Sequence, residues 1–197
     1  MNDMASSTTT RKPTNGERMH GDNAGVVLGA AVIAMGLLAG LYYAFDVAVM
    51  PALTAADDRT LVDAMQQMID KIENPAFFLT LLGAPALAAV ALVQARRSGS
   101  PKTAGWIVAG LAFYTVMVVV TFAFHFPLND ELQEAGDPAR IENLAGVRDD
   151  FVTPWVVWNI VRTLASTAAF ACLAWALVLR GRMGGVEPQR IDARVRA

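Results

Sequence analysis

Four apolar runs constrain this chain more than any other feature. They cover about 24–50, 75–96, 103–126 and 154–180. Some 20 apolar residues in helical geometry cross a bilayer's hydrocarbon core, and a backbone in lipid must satisfy its hydrogen bonds internally. The expected fold class is all-α: an integral membrane antiparallel four-helix bundle whose first partner is the lipid bilayer. The 54% hydrophobic share of the 197 residues agrees with one membrane domain. A net charge of −2 argues against nucleic acid as a partner. One cysteine, Cys172, and two histidines, His20 and His125, cannot build a CxxC site, a three-histidine metal site or a bis-histidine haem. No metal and no cofactor are therefore expected.

The polar segments give the topology. Residues 1–23 are rich in Ser, Thr, Asn and Gly with Arg11, Lys12 and Arg18, and read as a disordered basic tail. Residues 181–197 form a second basic tail with Arg182, Arg190, Arg194 and Arg196. Arg96, Arg97 and Lys102 flank the short link between the second and third spans. By the positive-inside rule both termini and this link are cytoplasmic, which makes a multi-pass protein of the cell membrane. The two longer connections then lie outside. In the first, Asp57 or Asp58 can cap a helix with Leu61, Met65, Met68 and Ile72 on one face. In the second, which is acidic, Asp137-Pro138 can start another. Short amphipathic helices are expected in both. Asn74 before Pro75 reads as the cap of the second span, and Pro85 as a kink within it. Gly25, Gly29, Gly36 and Gly40 form a stripe on the first span, best read as tight intramolecular packing; the other use is a homodimer seam.

Charge inside the apolar runs locates the candidate site. Trp155, Trp158, Asn159, Arg162 and Ser166 recur at helical spacing and share a face. Arg162 lies about 12 Å along the helix from Pro154. A cation there needs a partner, a wet cavity or an anionic ligand. Asp46, the one acid of the first apolar run, is a candidate partner. His125, near the end of the third span, is a candidate base, since a neutral imidazole accepts a proton near pH 7. The up-down topology brings Tyr43, Asp46, Asn74, His125, Asn129, Trp155, Trp158, Asn159 and Arg162 to one end of the bundle.

Several short motifs then stand in order on the four spans. They are Tyr42-Tyr43-Ala44-Phe45 with Val49-Met50-Pro51, Asn74-Pro75-Ala76-Phe77, Phe126-Pro127-Leu128-Asn129, and the stretch from Trp155 to Arg162. In these the chain resembles the anthrone-oxygenase-like family of small membrane proteins. The resemblance implies a cofactor-independent monooxygenase acting with dioxygen on a hydrophobic, flat, phenolic or polyketide-like small molecule. On that reading the catalytic residues are His125 or Asp46 as base and Arg162 as the anion's partner. Asn159 or Asn129 assist, and Tyr43, Asn74, Trp155 and Trp158 line the substrate. The alternative is a non-catalytic membrane module in which an Asp46–Arg162 pair is structural and the outer loops bind a partner. A transporter is a weaker reading, because no internal repeat is evident and only one charge lies deep.

Overall fold

The computed structural model describes residues 15–184, and all regular structure in them is helical. Residues 1–14 and 185–197, with Arg11, Lys12, Arg190, Arg194 and Arg196, lie outside the described residues. The helices are α1 (Asn15–Ala44), α2 (Met50–Thr54), α3 (Asp58–Ile72), α4 (Pro75–Arg97), α5 (Pro101–Val120), α6 (Phe126–Glu134) and α7 (Leu144–Gly184). Four stretches are long and apolar enough to cross a membrane: Asn23–Thr54, Pro75–Arg97, Pro101–Glu134 and Leu144–Arg182. This is a four-span membrane protein.

The spans form a square. α1 packs on α4 and α7, and α5 packs on α4 and α7. Gly99 has φ +65°, which lets the turn after α4 reverse the chain into Pro101. Small residues set the close approaches. A Cβ on Gly110 would meet Leu173 at 3.1 Å and the Ala169 carbonyl at 3.3 Å; one on Gly36 would meet Phe170 at 3.1 Å. At Gly36 the glycine stripe therefore serves packing of α1 on α7, while Gly29 and Gly40 face open space.

Lipid-facing and core-facing residues are equally apolar, so burial alone separates them. Leu28, Ala31, Met35, Leu38 and Tyr42 of α1 are buried, whereas Val26, Ile33 and Leu37 are exposed. On α7, Ala165, Ala169, Leu173 and Ala176 face the core, and Val157, Ile160 and Leu164 face outward.

Prolines shape the spans. Pro85 cannot donate to the Leu81 carbonyl four residues back. The Tyr114 hydroxyl, reaching across from α5, donates to that carbonyl instead. Pro51 and Pro127 act differently. Each follows, one residue later, a five-residue π-helical segment, Phe45–Val49 and Thr121–His125. There the Met50 amide bonds the Phe45 carbonyl and the Phe126 amide bonds the Thr121 carbonyl, both five residues back. Widening the turn relieves the clash of a proline ring with the carbonyl behind it. The first and third spans thus continue through a π segment into α2 and α6.

Two expected boundaries shift. α1 begins at Asn15, so the helix takes in residues 15–23, expected as tail. α7 begins at Leu144, ten residues before Pro154, which lies inside it. The carbonyl that Pro154 leaves without a helical donor belongs to exposed Asp150, where solvent can serve. At about 60 Å its 41 residues exceed the hydrocarbon thickness twofold, and the surplus projects into a cap.

The cap joins α2, α3, α6 and the start of α7 around Met50, Leu61, Val62, Met65, Leu132, Phe151 and Trp155. The expected helix in the first connection is α3, capped by Asp57, which accepts from the Thr60 amide at 3.0 Å. Its buried face is Leu61, Val62, Met65 and Ile69, with Met68 and Ile72 at the flank. In the second connection the short helix is α6, not one started by Asp137-Pro138. Gly136, at φ +80°, ends α6, and Asp137 caps a turn by accepting from the Ala139 amide at 2.9 Å. Gln66 Nε2 donates to the carbonyls of Leu132 and Gly136, and Gln133 Nε2 returns a bond to the Gln66 carbonyl. Arg148 ties the start of α7 to Asp58 at 2.5 Å and to the Thr54 carbonyl at 2.6 Å.

Candidate functional site

Below the cap the polar residues of the spans converge. Arg162, on the inward face of α7, is only 8% exposed. Its Nη2 donates to Asn159 Oδ1 at 2.7 Å, one turn up the same helix. The guanidinium lies 4.5 Å from the Tyr42 ring centroid and 5.7 Å from that of Trp155. In this desolvated setting each cation–π contact contributes up to about 2 kcal/mol.

Asn159 is the hub. Its Nδ2 donates to the Tyr42 carbonyl at 3.0 Å and to Asp46 Oδ1 at 2.5 Å. Thr163 Oγ donates to Asp46 Oδ2 at 2.5 Å. Asp46 therefore has both oxygens held by α7. The expected Asp46–Arg162 pair is not a direct contact: no oxygen–nitrogen approach within 4.0 Å joins them among the described residues. The Asn159 amide stands between, its oxygen toward the cation and its nitrogen toward the carboxylate. That arrangement fixes the amide's orientation from both ends.

His125 is buried against Trp155, 5.3 Å between ring centroids and edge to face. Trp155 thus touches both the imidazole and the guanidinium. Its Nε1 donates to Asn129 Oδ1 at 3.2 Å. Neither ring nitrogen of His125 has a hydrogen-bond partner among the described residues, and nor does Arg162 Nε. The Val120 carbonyl is close to the imidazole but outside hydrogen-bonding geometry. A buried polar group left in this state costs about 1–3 kcal/mol.

Both π segments carry a polar member of the cluster, Asp46 in one and His125 in the other. π-bulges recur at functional sites, because the extra residue re-aims what the helix presents. The sequence signal was present in Met50-Pro51 and Phe126-Pro127.

Two expected site residues do not join the cluster. Tyr43 is 57% exposed and points away. Its neighbour Tyr42 is the buried one, one-quarter turn round the helix, with its hydroxyl 3.6 Å from Met117 Sδ. Asn74 is exposed and occupied as a helix cap. Its Oδ1 accepts from the Ala76 and Phe77 amides, and its Nδ2 donates to the Lys71 and Ile72 carbonyls. Trp158 is half-buried and stacks on Phe124 at 3.6 Å and 12°. Thr163, Tyr42 and Phe124 are the members that sequence reasoning missed.

An all-helical four-span bundle with a buried Arg–Asn–Asp relay and an unpartnered histidine beneath a helical cap defines the class. The family model described as anthrone oxygenase matches residues 74–172, half of the chain. The protein belongs to that family. The matched segment contains His125, Asn129, Trp155, Trp158, Asn159 and Arg162, while Tyr42 and Asp46 lie before it. No curated protein and no solved structure matches the chain.

Proposed function

We propose that the protein oxidises a flat phenolic, polyketide-like carbon acid such as an anthrone with dioxygen, without a cofactor. The observation that supports this reading is the pairing of an unpartnered imidazole with a guanidinium whose Nε is also unpartnered, both against one indole. One can take a proton and the other can hold the anion that results.

The chemistry balances with dioxygen alone. His125 removes one proton from the substrate's CH2, leaving a carbanion delocalised through the ring system onto the carbonyl oxygen opposite it, where Arg162 holds the charge. The carbanion gives one electron to dioxygen, and the resulting radicals join through a new carbon–oxygen bond. The peroxide takes up the proton. Loss of the second C–H proton with cleavage of the O–O bond releases water and leaves a carbonyl. Trp155 and Trp158 offer faces for a planar substrate, and Asn129 and Asn159 fix the indole and the guanidinium. Asp46 acts through Asn159 as a positioning residue, since both its oxygens are engaged.

The basic residues Arg96, Arg97, Lys102, Arg180 and Arg182 lie at the bundle end opposite the cap. This favours a cell-membrane protein with the cap outside and both termini cytoplasmic. Gly29 and Gly40, where an added Cβ would meet nothing within 4 Å among the described residues, are where a homodimer would form.

Arg162→Met in bilayer discs tests the reading. Turnover should fall at least 100-fold while the protein still inserts and folds; retained turnover would remove Arg162 from the mechanism. The second reading, a non-catalytic module, draws on the dense packing of Asn159 and its relay. It gains if the wild type turns over no anthrone.

A further inference from the structure

The ring pair Phe124–Trp158 is placed unlike the rest of the cluster. Both rings are half-buried, at the seam between the third and fourth spans. Beside them Phe122, Val157 and Ile160 are exposed on the lipid-facing surface. Phe124 immediately precedes His125. Trp158 immediately precedes Asn159 and lies one turn from Arg162. The pair therefore lies half-buried on the two segments that carry the candidate base and cation.

Its geometry is also unusual. A centroid distance of 3.6 Å at 12° leaves little lateral offset, so the rings lie nearly face over face. Offset or edge-on arrangements are preferred, because two stacked π faces repel through their quadrupoles. A flat ring system carrying carbonyl groups is electron-poor at its centre. Inserted between Phe124 and Trp158, it would replace one unfavourable face-to-face contact with two favourable ones. The same insertion would bring its edge toward His125 and Arg162.

We infer that Phe124 and Trp158 form a lateral slot through which a planar, carbonyl-bearing polycyclic aromatic enters from the bilayer and is held by stacking. The inference rests on the proposed function for its substrate class and adds a route and a residue, Phe124, to it. Apolar planar compounds concentrate in lipid, so entry along the seam avoids crossing the polar cap.

The test uses full-length protein in phosphatidylcholine discs and 1,8-dihydroxyanthraquinone as probe, with binding read by quenching of tryptophan fluorescence against empty discs. Wild type should bind saturably. Phe124→Leu should weaken binding about tenfold, and Phe124→Tyr should restore it. Trp158→Leu should remove most of the quenching, while Val90→Leu, on the lipid face of α4, should change nothing. Equal affinity in wild type and Phe124→Leu would overturn the slot, as would full binding of a sulfonated anthraquinone excluded from the bilayer. Anthrone oxidation is measured on the same samples. Turnover that is insensitive to Phe124→Leu sinks the slot and leaves the function standing. Slot binding with no turnover sinks the function and leaves the slot.

Discussion

Replacing Asn159 with Ala perturbs the cluster most sharply, and its cost can be worked from the contacts. The substitution removes three hydrogen bonds: to the Tyr42 carbonyl at 3.0 Å, to Asp46 at 2.5 Å and from Arg162 at 2.7 Å. Asp46 is half-exposed and keeps Thr163, so solvent can replace its lost bond. The Arg162 guanidinium is buried and loses its bond outright, and the buried Tyr42 carbonyl loses its side-chain donor. Each unsatisfied group costs about 1–3 kcal/mol. Interhelical hydrogen bonds in membranes average nearer 0.6 kcal/mol, because the unfolded chain in lipid finds other partners. The expected loss is then about 2–4 kcal/mol, or a fall in Tm of about 5–15 °C for a domain of this size. Thermal unfolding in one detergent, followed by circular dichroism, measures it. Asn159→Asp should not rescue, since a second carboxylate would face Asp46. An Asn159→Ala protein that melts with wild type would show that the amide is not the hub.

Other consequences follow from single contacts. Tyr114→Phe should destabilise by about 1 kcal/mol by stripping the Leu81 carbonyl of its donor; in a Pro85→Ala background, where the helix supplies its own donor, most of that cost should vanish in a double-mutant cycle. The Asp57 carboxyl is held below its ordinary value by the Thr60 hydroxyl and then the Thr60 amide. A depressed folded pKa means that the cap's contribution is present above the unfolded value of about 3.9 and is lost as pH falls through the folded one. The Tm gap between wild type and Asp57→Ala should therefore be full at neutral pH and close in strong acid; a gap independent of pH would contradict the cap. Arg148→Ala should loosen the junction of α2, α3 and α7, seen as faster amide exchange there with little change in the spans, because its bonds to Asp58 and Thr54 all lie in the cap.

How far the sequence could be read depended on where polarity varied along it. Apolar run length and turn basicity gave the four spans and their neighbours. The inward face of Arg162 followed from its spacing to Trp155, Trp158 and Asn159. The choice between Tyr42 and Tyr43 did not follow, because lipid and core are both apolar and the helix carries no amphipathic signal there. It could have been found by counting from Leu28 through Ala31, Met35 and Leu38, a series on which Tyr42 falls and Tyr43 does not. The π segments were hidden for another reason. A proline inside an apolar run announces a break but not its form, and at Pro85 the answer was a tyrosine from α5 rather than a widened turn. The hub role of Asn159 needed the third dimension, since its partners Tyr42 and Asp46 come from a span more than 100 residues earlier.

The most direct measurement is oxygen uptake by wild-type protein in bilayer discs supplied with a hydroxylated anthrone, protiated or deuterated at its acidic carbon. Uptake should saturate with anthrone, match quinone formation one for one and slow on deuteration, as expected if His125 removes that proton in the committing step. Uptake no faster than in empty discs would contradict the account.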